Sequence, residues 1–474
     1  MADLTTWPTW EIQFDRSGNV DPAARAALLT EIPGAGITDL VVMSHGWNSS
    51  PAHSRALYKQ WFGMLDKLVP DGTPAQIGTL GVIWPSMLWA DETPPGGAGG
   101  GGAAGLAGAG PGGGAGAPVA ALDAVYPDPD QQQILGQLAA LLDAQSPDPA
   151  ELAKFHALMV QLAGSEPSTI SQEDSGPQTM LTVDPLVLAQ RFAAGLDQAA
   201  APGAGQAADQ GGAADLGGGA DLGGGADLGG AGDLGAGGDG QGAAGFGAIT
   251  SRLWNGAKEA LRQLTYFQMK NRAGTVGQQG LGPFLGDLAS RRAGLRVHLI
   301  GHSFGGRLVS FTLAGLPAGP SPVASLTLLE GAFSHFAFAA SLPMDASKPG
   351  ALKGMMARVN GPLLACFSSF DLALAIFYPL ASFTSGDDAA GLADQLTDAL
   401  KFQYGGMGHD GAQAVGAAAV AIKAVGQPYQ FTAGKFTNID SSSVVKNGNP
   451  PSGAHSDIVH PELAWAMATA AGLV

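Results

Sequence analysis

The chain has 474 residues, and its 40 acidic side chains outnumber its 23 basic ones, which gives a formal net charge of −17 at pH 7. The excess lies in one segment, since residues 92–248 hold 18 acidic and 2 basic side chains and the rest of the chain is close to neutral. Because no stripe of Lys and Arg is present to neutralise phosphates, we expect no nucleic-acid partner. Cys366 is the only cysteine, which excludes a disulfide scaffold and fits a reducing compartment.

No run approaches 18 uninterrupted apolar residues, so the sequence predicts no integral membrane segment. The first residues, MADLTTWPTWEIQF, lack the basic and the apolar stretches of a secretory signal peptide. We therefore expect a soluble, cytoplasmic protein, and a specialised export route stays compatible with the same residues.

Composition divides the chain into three parts. Residues 1–91 and 249–474 have ordinary composition and together are long enough to bury a large core. Residues 92–248 form an acidic, low-complexity insertion between them. We expect the tracts 96–117 and 198–248 to be disordered linkers, because they are mostly Gly and Ala and offer little apolar surface to bury.

The second tract contains a six-residue repeat over 214–237, in which an aspartate recurs at every sixth position: Asp215, Asp221, Asp227 and Asp233. Calcium-binding β-roll repeats also combine Asp with Gly, but their period is nine residues. An acidic linker is therefore the interpretation we favour.

Two amphipathic helices are predicted between these tracts, as a hairpin near 131–163. Apolar side chains recur at helical spacing in DQQQILGQLAALLDAQ and again in PAELAKFHALMVQLAG, and the Ser-Pro-Asp-Pro stretch at 146–149 is a turn. Three uses stay open for this hairpin: a lid over a binding site, a docking element, or packing against the core.

The flanking parts alternate short apolar runs with helical patterns. The runs typical of buried parallel strands are TDLVVMSHG, GTLGVIWPS, LRVHLIGHS, VASLTLLEGA, GPLLACFSS and KFTNIDSSSVV. Helical patterns are present in RALYKQWFGMLDKL, over 251–270, after Ser303 and around 388–425. This alternation predicts an α/β fold, with a doubly wound, mostly parallel sheet and helices on both of its faces.

The sharpest motif is Gly-His-Ser-Phe-Gly at residues 301–305, which follows a strand pattern and precedes a helical one. In that context G-x-S-x-G is typical of a nucleophile elbow, a tight turn that exposes its serine at the edge of a sheet. Bulky residues in place of the glycines would clash at such a turn. The N-terminus of the following helix directs free N–H groups toward developing negative charge. Ser303 is therefore the candidate nucleophile.

A loop suited to an oxyanion hole follows an earlier strand, where DLVVMS leads into His45-Gly46-Trp47. In the elbow architecture one donor is the N–H of the residue after the nucleophile, and the other comes from such a loop. We predict that the backbone N–H groups of Phe304 and Trp47 have these roles, with Gly46 as the alternative to Trp47. His45 is predicted to structure the loop.

A nucleophilic serine needs a base and an acid, and in this architecture they follow it in the order acid, histidine. Asp371 comes after LLACFSSF and is the preferred acid, because functional loops lie at the carboxyl ends of parallel strands. Glu330, at the end of LTLLE, is its main rival, and Asp387, Asp388 and Asp440 are weaker ones.

Two histidines near the C-terminus compete for the role of base. His460 precedes a proline and is typical of a helix start, which leaves His455 on the preceding loop as the preferred base. His409 precedes the last predicted strand and ranks below both. His298 lies within a strand pattern and is predicted to be a core residue, and His302 fills the variable position of the elbow.

Together these motifs resemble the α/β-hydrolase superfamily, over residues 1–91 and 249–474. The GHSFGG elbow and the HGW loop are similar to those of lipases and esterases in general. Membership would imply acyl-enzyme chemistry on a carboxylic ester, thioester or amide, with Ser303 as nucleophile, His455 as proton shuttle and Asp371 as the residue that holds the imidazole. The insertion departs from the family pattern, because it follows GTLGVIWPS, whereas caps of the family usually follow a later strand.

The expected activity is that of a serine hydrolase, with a small-molecule or lipid ester as its substrate. Two alternatives stay open: a catalytically silent fold that binds or scaffolds other molecules, with the insertion as its interaction arm, and an acyltransferase with the same three residues. The sequence contains no HExxH motif, His/Cys cluster, P-loop or dinucleotide-binding motif, so we expect neither a metal nor a cofactor. Nothing in it identifies a protein partner.

Overall fold

The computed structural model describes residues 5–70, 72–73, 75–86, 119, 122, 126, 128–164, 181–200, 242–377, 402–448 and 452–474. The disorder predicted for 96–117, and for the stretch of 198–248 that contains the aspartate repeat, lies outside the described residues. Asp387 and Asp388, two of the rival acids, lie outside them as well.

The described strands all belong to one sheet. They are β1 (Thr9–Gln13), β2 (Asp39–Ser44), β3 (Ile77–Ile83), β4 (Arg296–His302), β5 (Val323–Leu329), β6 (Leu363–Phe367), β7 (Ala418–Ala421) and β8 (Phe436–Asp440). Their order is β1-β3-β2-β4-β5-β6-β8-β7, and every neighbouring pair is parallel. The α/β fold with a parallel sheet that the sequence predicts is confirmed.

Helices connect and cover these strands. They are α1 (Pro22–Gly34), α2 (Pro51–Leu68), α3 (Pro129–Ala144), α4 (Pro149–Gly164), α5 (Pro185–Ala200), α6 (Gly242–Thr275), α7 (Gly282–Arg291), α8 (Phe304–Gly315), the one-turn α9 (Met407–Asp410) and α10 (Pro461–Ala471). A π-helical segment, Val276–Leu281, joins α6 to α7. Helix α6 begins before residue 249, so it runs across the boundary that composition suggests between the insertion and the C-terminal part.

Successive side chains of the strands enter two hydrophobic cores on opposite faces of the sheet, as the period of two requires. In β2, Leu40 and Val42 join the core that contains α1, α6, α7 and α8. Val41 and Met43, which alternate with them, join the core that contains α2 and α10. Both faces of the central strands are therefore buried, which explains why their sequences are continuous apolar runs.

The pattern around 388–425 was predicted to be helical, and the structure corrects this for residues 418–421. The Ala-rich stretch has high helix propensity, but Ala418–Ala421 forms the edge strand β7, which pairs with β8 through residues such as Ala419 and Asn438. Gly411 and Gly416 adopt positive φ just before it, which ends any helix there. Strand pairing thus overrides local propensity.

The helices of the insertion pack on α6 and belong to the same core as one face of the sheet. The ring of Phe155 from α4 meets that of Trp254 from α6 edge-on, with centroids 5.7 Å apart. The Trp254 indole N–H also donates to the carbonyl of Ser146, in the turn between α3 and α4, at 2.9 Å. Of the three uses considered for the hairpin, packing against the core is the one these contacts support.

A buried polar chain crosses three strands at the start of β2. His298 has both ring nitrogens hydrogen-bonded, Nε2 to Asp39 Oδ1 and Nδ1 to Ser325 Oγ, each at 2.9 Å. Burial raises the pKa of Asp39, but hydrogen bonds from His298 and Thr38, with the charges of His298 and Arg296, outweigh it and lower the pKa below its ordinary value. The chain contains a serine, a histidine and an aspartate, yet none of the three is more than 2% exposed, so its role is structural.

We expect Asp39→Asn to lower the free energy of unfolding by about 2 kcal/mol at pH 7, because the ionised carboxylate accepts several hydrogen bonds. A carboxylate with a lowered folded pKa stabilises the protein above its unfolded pKa, and this contribution is lost as the pH falls through the folded value. Urea denaturation measures the free energy of unfolding of both proteins. The difference between the two values should be constant above about pH 4 and become smaller below it. A difference in the free energy of unfolding that increases in acid would contradict this prediction.

Candidate active site

Ser303 lies between the end of β4 and the start of α8, with a backbone φ of 55° and ψ of −122°. A residue with a Cβ seldom adopts this conformation, and proteins retain such strain where neighbouring contacts enforce it. Those contacts are present, since the Ser303 N–H donates to the carbonyl of Leu329 at 3.0 Å. The N–H groups of Gly306 and Ala332 donate to the Ser303 carbonyl at 3.0 and 3.1 Å.

The glycines on either side of Ser303 allow the backbone to approach other segments closely. A Cβ on Gly301 would collide with the carbonyl oxygen of Gly305, and one on Gly305 would collide with that of Ser44. The turn therefore requires glycine at both positions, because there is no room for a Cβ at either of them. The G-x-S-x-G pattern thus reflects the packing of β4 and α8 against β2.

Ser303, His455 and Asp371 form a continuous hydrogen-bonded chain. The Ser303 hydroxyl donates to His455 Nε2 at 2.8 Å, and His455 Nδ1–H donates to Asp371 Oδ2 at 2.6 Å. Asp371 is fully buried and Ser303 is 3% exposed, whereas the His455 side chain is 14% exposed. The structure thus brings together the three residues that the sequence singles out as nucleophile, base and acid.

Two loops position the candidate base and the candidate acid. Asp371 follows β6, and its Oδ1 accepts a hydrogen bond from the Leu374 N–H at 3.1 Å. His455 lies in a short 3₁₀ turn, Ala454–Ser456, that is joined to the loop of the acid, because the Ala454 N–H donates to the carbonyl of Phe370 at 2.9 Å. These backbone contacts fix the distance between the two side chains.

Asp457 holds the other side of the histidine loop. One of its carboxylate oxygens accepts hydrogen bonds from the backbone N–H groups of Lys446 and Asn447, at 3.0 and 2.9 Å. Its second oxygen lies 3.0 Å from His460 Nε2. His460 itself is the N-cap of α10, with Pro461 at the first helical position, and it is not part of the hydrogen-bonded chain.

His302 has a positioning role that its place in the motif does not reveal. Its Nε2 is 2.8 Å from the carbonyl oxygen of His455, and the two rings face each other with centroids 5.3 Å apart. Burial lowers the pKa of His302 to about 3, with the charges of His455 and His45 acting in the same direction. A neutral imidazole that donates from Nε2 therefore holds the backbone of His455. Many residue types are allowed at this variable position of the motif, so the sequence gives no signal that His302 makes this contact.

His45 structures the loop that lies opposite Ser303, as predicted. Its Nδ1 is 2.8 Å from the carbonyl of Gly46, and its ring stacks on Trp84 with centroids 5.4 Å apart. Burial lowers the pKa of His45 to about 4. Its Nε2 accepts from the backbone N–H of Trp84 at 3.3 Å, so both ring nitrogens are used in holding the loop rigid.

The loop and the start of α8 present backbone amides beside the nucleophile. The N–H of Phe304 begins a helix and has no intrahelical acceptor. Neither it nor the N–H of Trp47 donates to an acceptor among the residues that the structure describes. The loop passes against the nucleophile, since a Cβ on Gly46 would lie 2.7 Å from the Ser303 Cβ. The arrangement is compatible with an oxyanion hole made by these amides.

An aromatic cluster covers the same side of the site. The ring of Tyr266, from α6, lies 4.4 Å from the ring of Phe304 and 5.5 Å from that of Trp47, measured between centroids. The Tyr266 hydroxyl donates to the carbonyl of Ala332 at 3.5 Å. The helix that follows the insertion therefore supplies an apolar wall next to the candidate oxyanion donors.

The rival acids have other surroundings. Glu330 is fully buried beside Asp371 and makes no hydrogen bond to His455. Asp440 ends β8 with its side chain exposed, and it accepts from the N–H of Ser442 at 3.0 Å. His409, the third candidate base, lies in the one-turn helix α9 and makes no hydrogen bond to Ser303.

We expect Gly46→Ala to lower any turnover at Ser303 by about 100-fold while the protein stays folded, because a small displacement at a reacting centre has effects of this size. The added methyl would meet the Ser303 Cβ at 2.7 Å and His302 Nδ1 at 3.0 Å. Steady-state kinetics measures the loss. Gly136→Ala on α3 is the matched control, since nothing lies within 4 Å of its Cβ. Equal activity of the two variants would show that the loop does not adjoin the reacting atoms.

The chain matches no known protein family, no curated protein and no solved structure. Within the described ranges, no group of three or more His, Cys, Asp or Glu side chains is placed to hold a metal ion. Of the helices that the structure describes, none is long and apolar enough to cross a membrane.

Proposed function

We propose that this protein is a serine hydrolase of the α/β-hydrolase type, which cleaves carboxylic esters through an acyl-enzyme intermediate. The observation that carries the proposal is the chain from Ser303 Oγ through His455 to Asp371, with donor–acceptor distances of 2.8 and 2.6 Å. The strained backbone of Ser303 at a strand-to-helix turn supports it, because the nucleophile elbow has this conformation and position.

In the first step Ser303 Oγ attacks the carbonyl carbon of the ester, and its proton passes to His455 Nε2. Asp371 keeps the proton of the imidazole on Nδ1 and stabilises the positive charge that forms on the ring. The carbonyl oxygen becomes an oxyanion next to the N–H groups of Trp47 and Phe304. When the tetrahedral intermediate collapses, the bond to the alcohol oxygen breaks and the alcohol leaves with the proton from His455.

In the second step a water molecule takes the place of the alcohol. His455 accepts a proton from the water, the resulting hydroxide forms a bond to the acyl carbon, and the bond to Ser303 Oγ breaks as the serine regains its proton. An acyltransferase would complete the same step with an alcohol or amine in place of water. The chemistry of the three residues is the same in both cases.

The substrate that fits these surroundings is an ester with an apolar acyl or alcohol group, either a small molecule or a lipid. The rings of Trp47, Phe304 and Tyr266 lie together beside the reacting serine. Burial of apolar surface against them would contribute about 25 cal/mol for each Å² removed from water.

A fluorophosphonate probe tests the proposal, because it forms a stable adduct only with an activated serine. We expect labelling of the folded protein, loss of labelling after denaturation, and an adduct that peptide mass spectrometry assigns to Ser303. Hydrolysis of p-nitrophenyl esters of increasing chain length, with and without added alcohol, then separates hydrolysis from acyl transfer. A folded protein that neither reacts with the probe nor turns over esters would favour the binding or scaffolding alternative.

A further inference from the structure

Glu330 occupies an unusual position directly after β5. Its backbone φ is 46°, in the left-handed region that residues other than glycine seldom adopt. Its N–H donates to the carbonyl of Cys366 at 3.1 Å, and its side chain is fully buried. On the other side Gly408 packs so closely that a Cβ there would collide with the Glu330 backbone. The surrounding strands therefore enforce both the conformation and the burial of this residue.

The carboxyl group of Glu330 adjoins that of Asp371, and the charge of Asp371 and a hydrogen bond with it both raise the pKa of Glu330. Neither of its oxygens accepts a hydrogen bond of normal geometry from a described N–H or O–H group. The backbone N–H of Ser368 lies nearby and lowers the pKa of Glu330, but it donates to the carbonyl of Gly408 at 3.0 Å, and burial and Asp371 outweigh its effect. Among the described residues, Glu330 therefore has fewer donors to stabilise a charged carboxylate than Asp371 has.

Among the residues that the structure describes, no cation is one of the groups that act on Glu330. The titratable groups that act on Glu330 are the carboxyls of Asp371 and Asp440, and the buried Cys366 thiol adjoins it as well. Burial raises the pKa of Glu330 well above its ordinary value, and the charge of Asp371 raises it further. Two carboxyl groups in contact cannot both ionise, so one of them retains a proton.

Asp371 is the member of the pair whose charged form has hydrogen-bond donors of normal geometry. Its Oδ2 accepts from His455 Nδ1 and its Oδ1 accepts from the Leu374 N–H, and each of these bonds stabilises the charged form. We propose that Glu330 is a positioning residue: a neutral carboxylic acid whose O–H donates a third hydrogen bond to Asp371. For its effect on turnover this inference rests on the proposed function, whereas the proton on Glu330 is independent of it.

A third donor on Asp371 has two consequences. It fixes the orientation of the carboxylate that holds His455, as partners of a catalytic group do in other sites. It also withdraws negative charge from the side of the carboxylate that faces the imidazole. We therefore expect activity to extend to lower pH than it would without this third donor.

The pH dependence of kcat/KM for a p-nitrophenyl ester tests these consequences. Glu330→Gln replaces the O–H donor by an amide N–H donor of the same shape, and we expect its acid limb to coincide with that of the unaltered protein. Glu330→Met keeps the length but lacks a donor, and we expect its acid limb to move up by about one pH unit, the size of a hydrogen bond to a charged group. Glu31→Gln, on the exposed side of α1, controls for the change of one carboxyl.

An ionised Glu330 would behave differently in the same experiment. Glu330→Gln would then remove a negative charge next to Asp371 and move the acid limb to lower pH. A purely structural Glu330 would lower the stability of Glu330→Met and leave its acid limb in place. Either result would overturn the proposal.

Infrared spectroscopy tests the proton without any need for turnover. The difference spectrum between the unaltered protein and Glu330→Gln at pH 7 should contain the C=O band of a protonated carboxylic acid. Carboxylate bands in its place would overturn the assignment of a neutral Glu330. If esters are not turned over and the acid band is present, the proposed hydrolase function fails while the neutral Glu330 stands.

Discussion

Ser303→Ala should lower ester turnover by about 10⁴- to 10⁶-fold, the range that follows removal of the nucleophile from a serine hydrolase. The physical reason is that no other hydroxyl can replace it, since Ser303 Oγ is the atom bonded to His455 Nε2 at 2.8 Å. Removal of this one hydroxyl leaves the packing around residue 303 unchanged, so the fold should be retained. Single-turnover kinetics with a chromogenic ester, together with circular dichroism, measures both effects.

Ser310→Ala is the matched control for this variant. Ser310 lies on α8, which begins directly after Ser303, is buried as well, and donates its hydroxyl to the carbonyl of Gly306 at 2.7 Å. Ser310→Ala should lower the free energy of unfolding by about 1 kcal/mol and leave turnover close to that of the unaltered protein. Residual turnover in Ser303→Ala at the level of Ser310→Ala would mean that Ser303 is not the nucleophile.

His455→Ala should reduce turnover by a similar factor, because a base and its serine act as one unit and either loss removes most of the rate. The variant also leaves Asp371 buried without its imidazole partner, which is 2.6 Å away in the intact protein. Its labelling by a fluorophosphonate should slow in parallel, since an unassisted hydroxyl is a weak nucleophile. Rates of labelling at several probe concentrations measure this effect apart from substrate binding.

His460→Asn separates the two candidate bases. Asparagine is a good N-cap, so α10 should begin as before, and the loop of His455 should keep its anchor at Asp457 through Lys446 and Asn447. We expect activity within about tenfold of that of the unaltered protein, a far smaller loss than for a member of the reacting unit. If His460→Asn lost activity and His455→Ala retained it, the assignment of the base would be reversed.

The sequence predicted the parts of this molecule that depend on neighbouring residues. The strand sequences at 39–44, 297–302 and 323–329 are mostly apolar because both faces of those strands are buried, and this pattern is visible without a structure. The elbow is equally local, since its two glycines and its serine lie within five residues. The edge strand β7 escaped prediction because its exposed, Ala-rich side chains have a helical preference and only the pairing with β8 makes it a strand.

Sequence alone thus determined the parallel α/β sheet, the position of the elbow and a short choice of partners for Ser303. Only the tertiary structure decided among those partners, because His455 is 152 positions from Ser303 and Asp371 is 84 positions from His455. It also revealed that His302 holds the backbone of His455 and that Glu330 adjoins Asp371. Such contacts depend on which loops lie together at the carboxyl edge of the sheet, and the separation of residues along the chain does not predict this. Periodicity reports burial along one element, whereas hydrogen bonds between elements are fixed by packing.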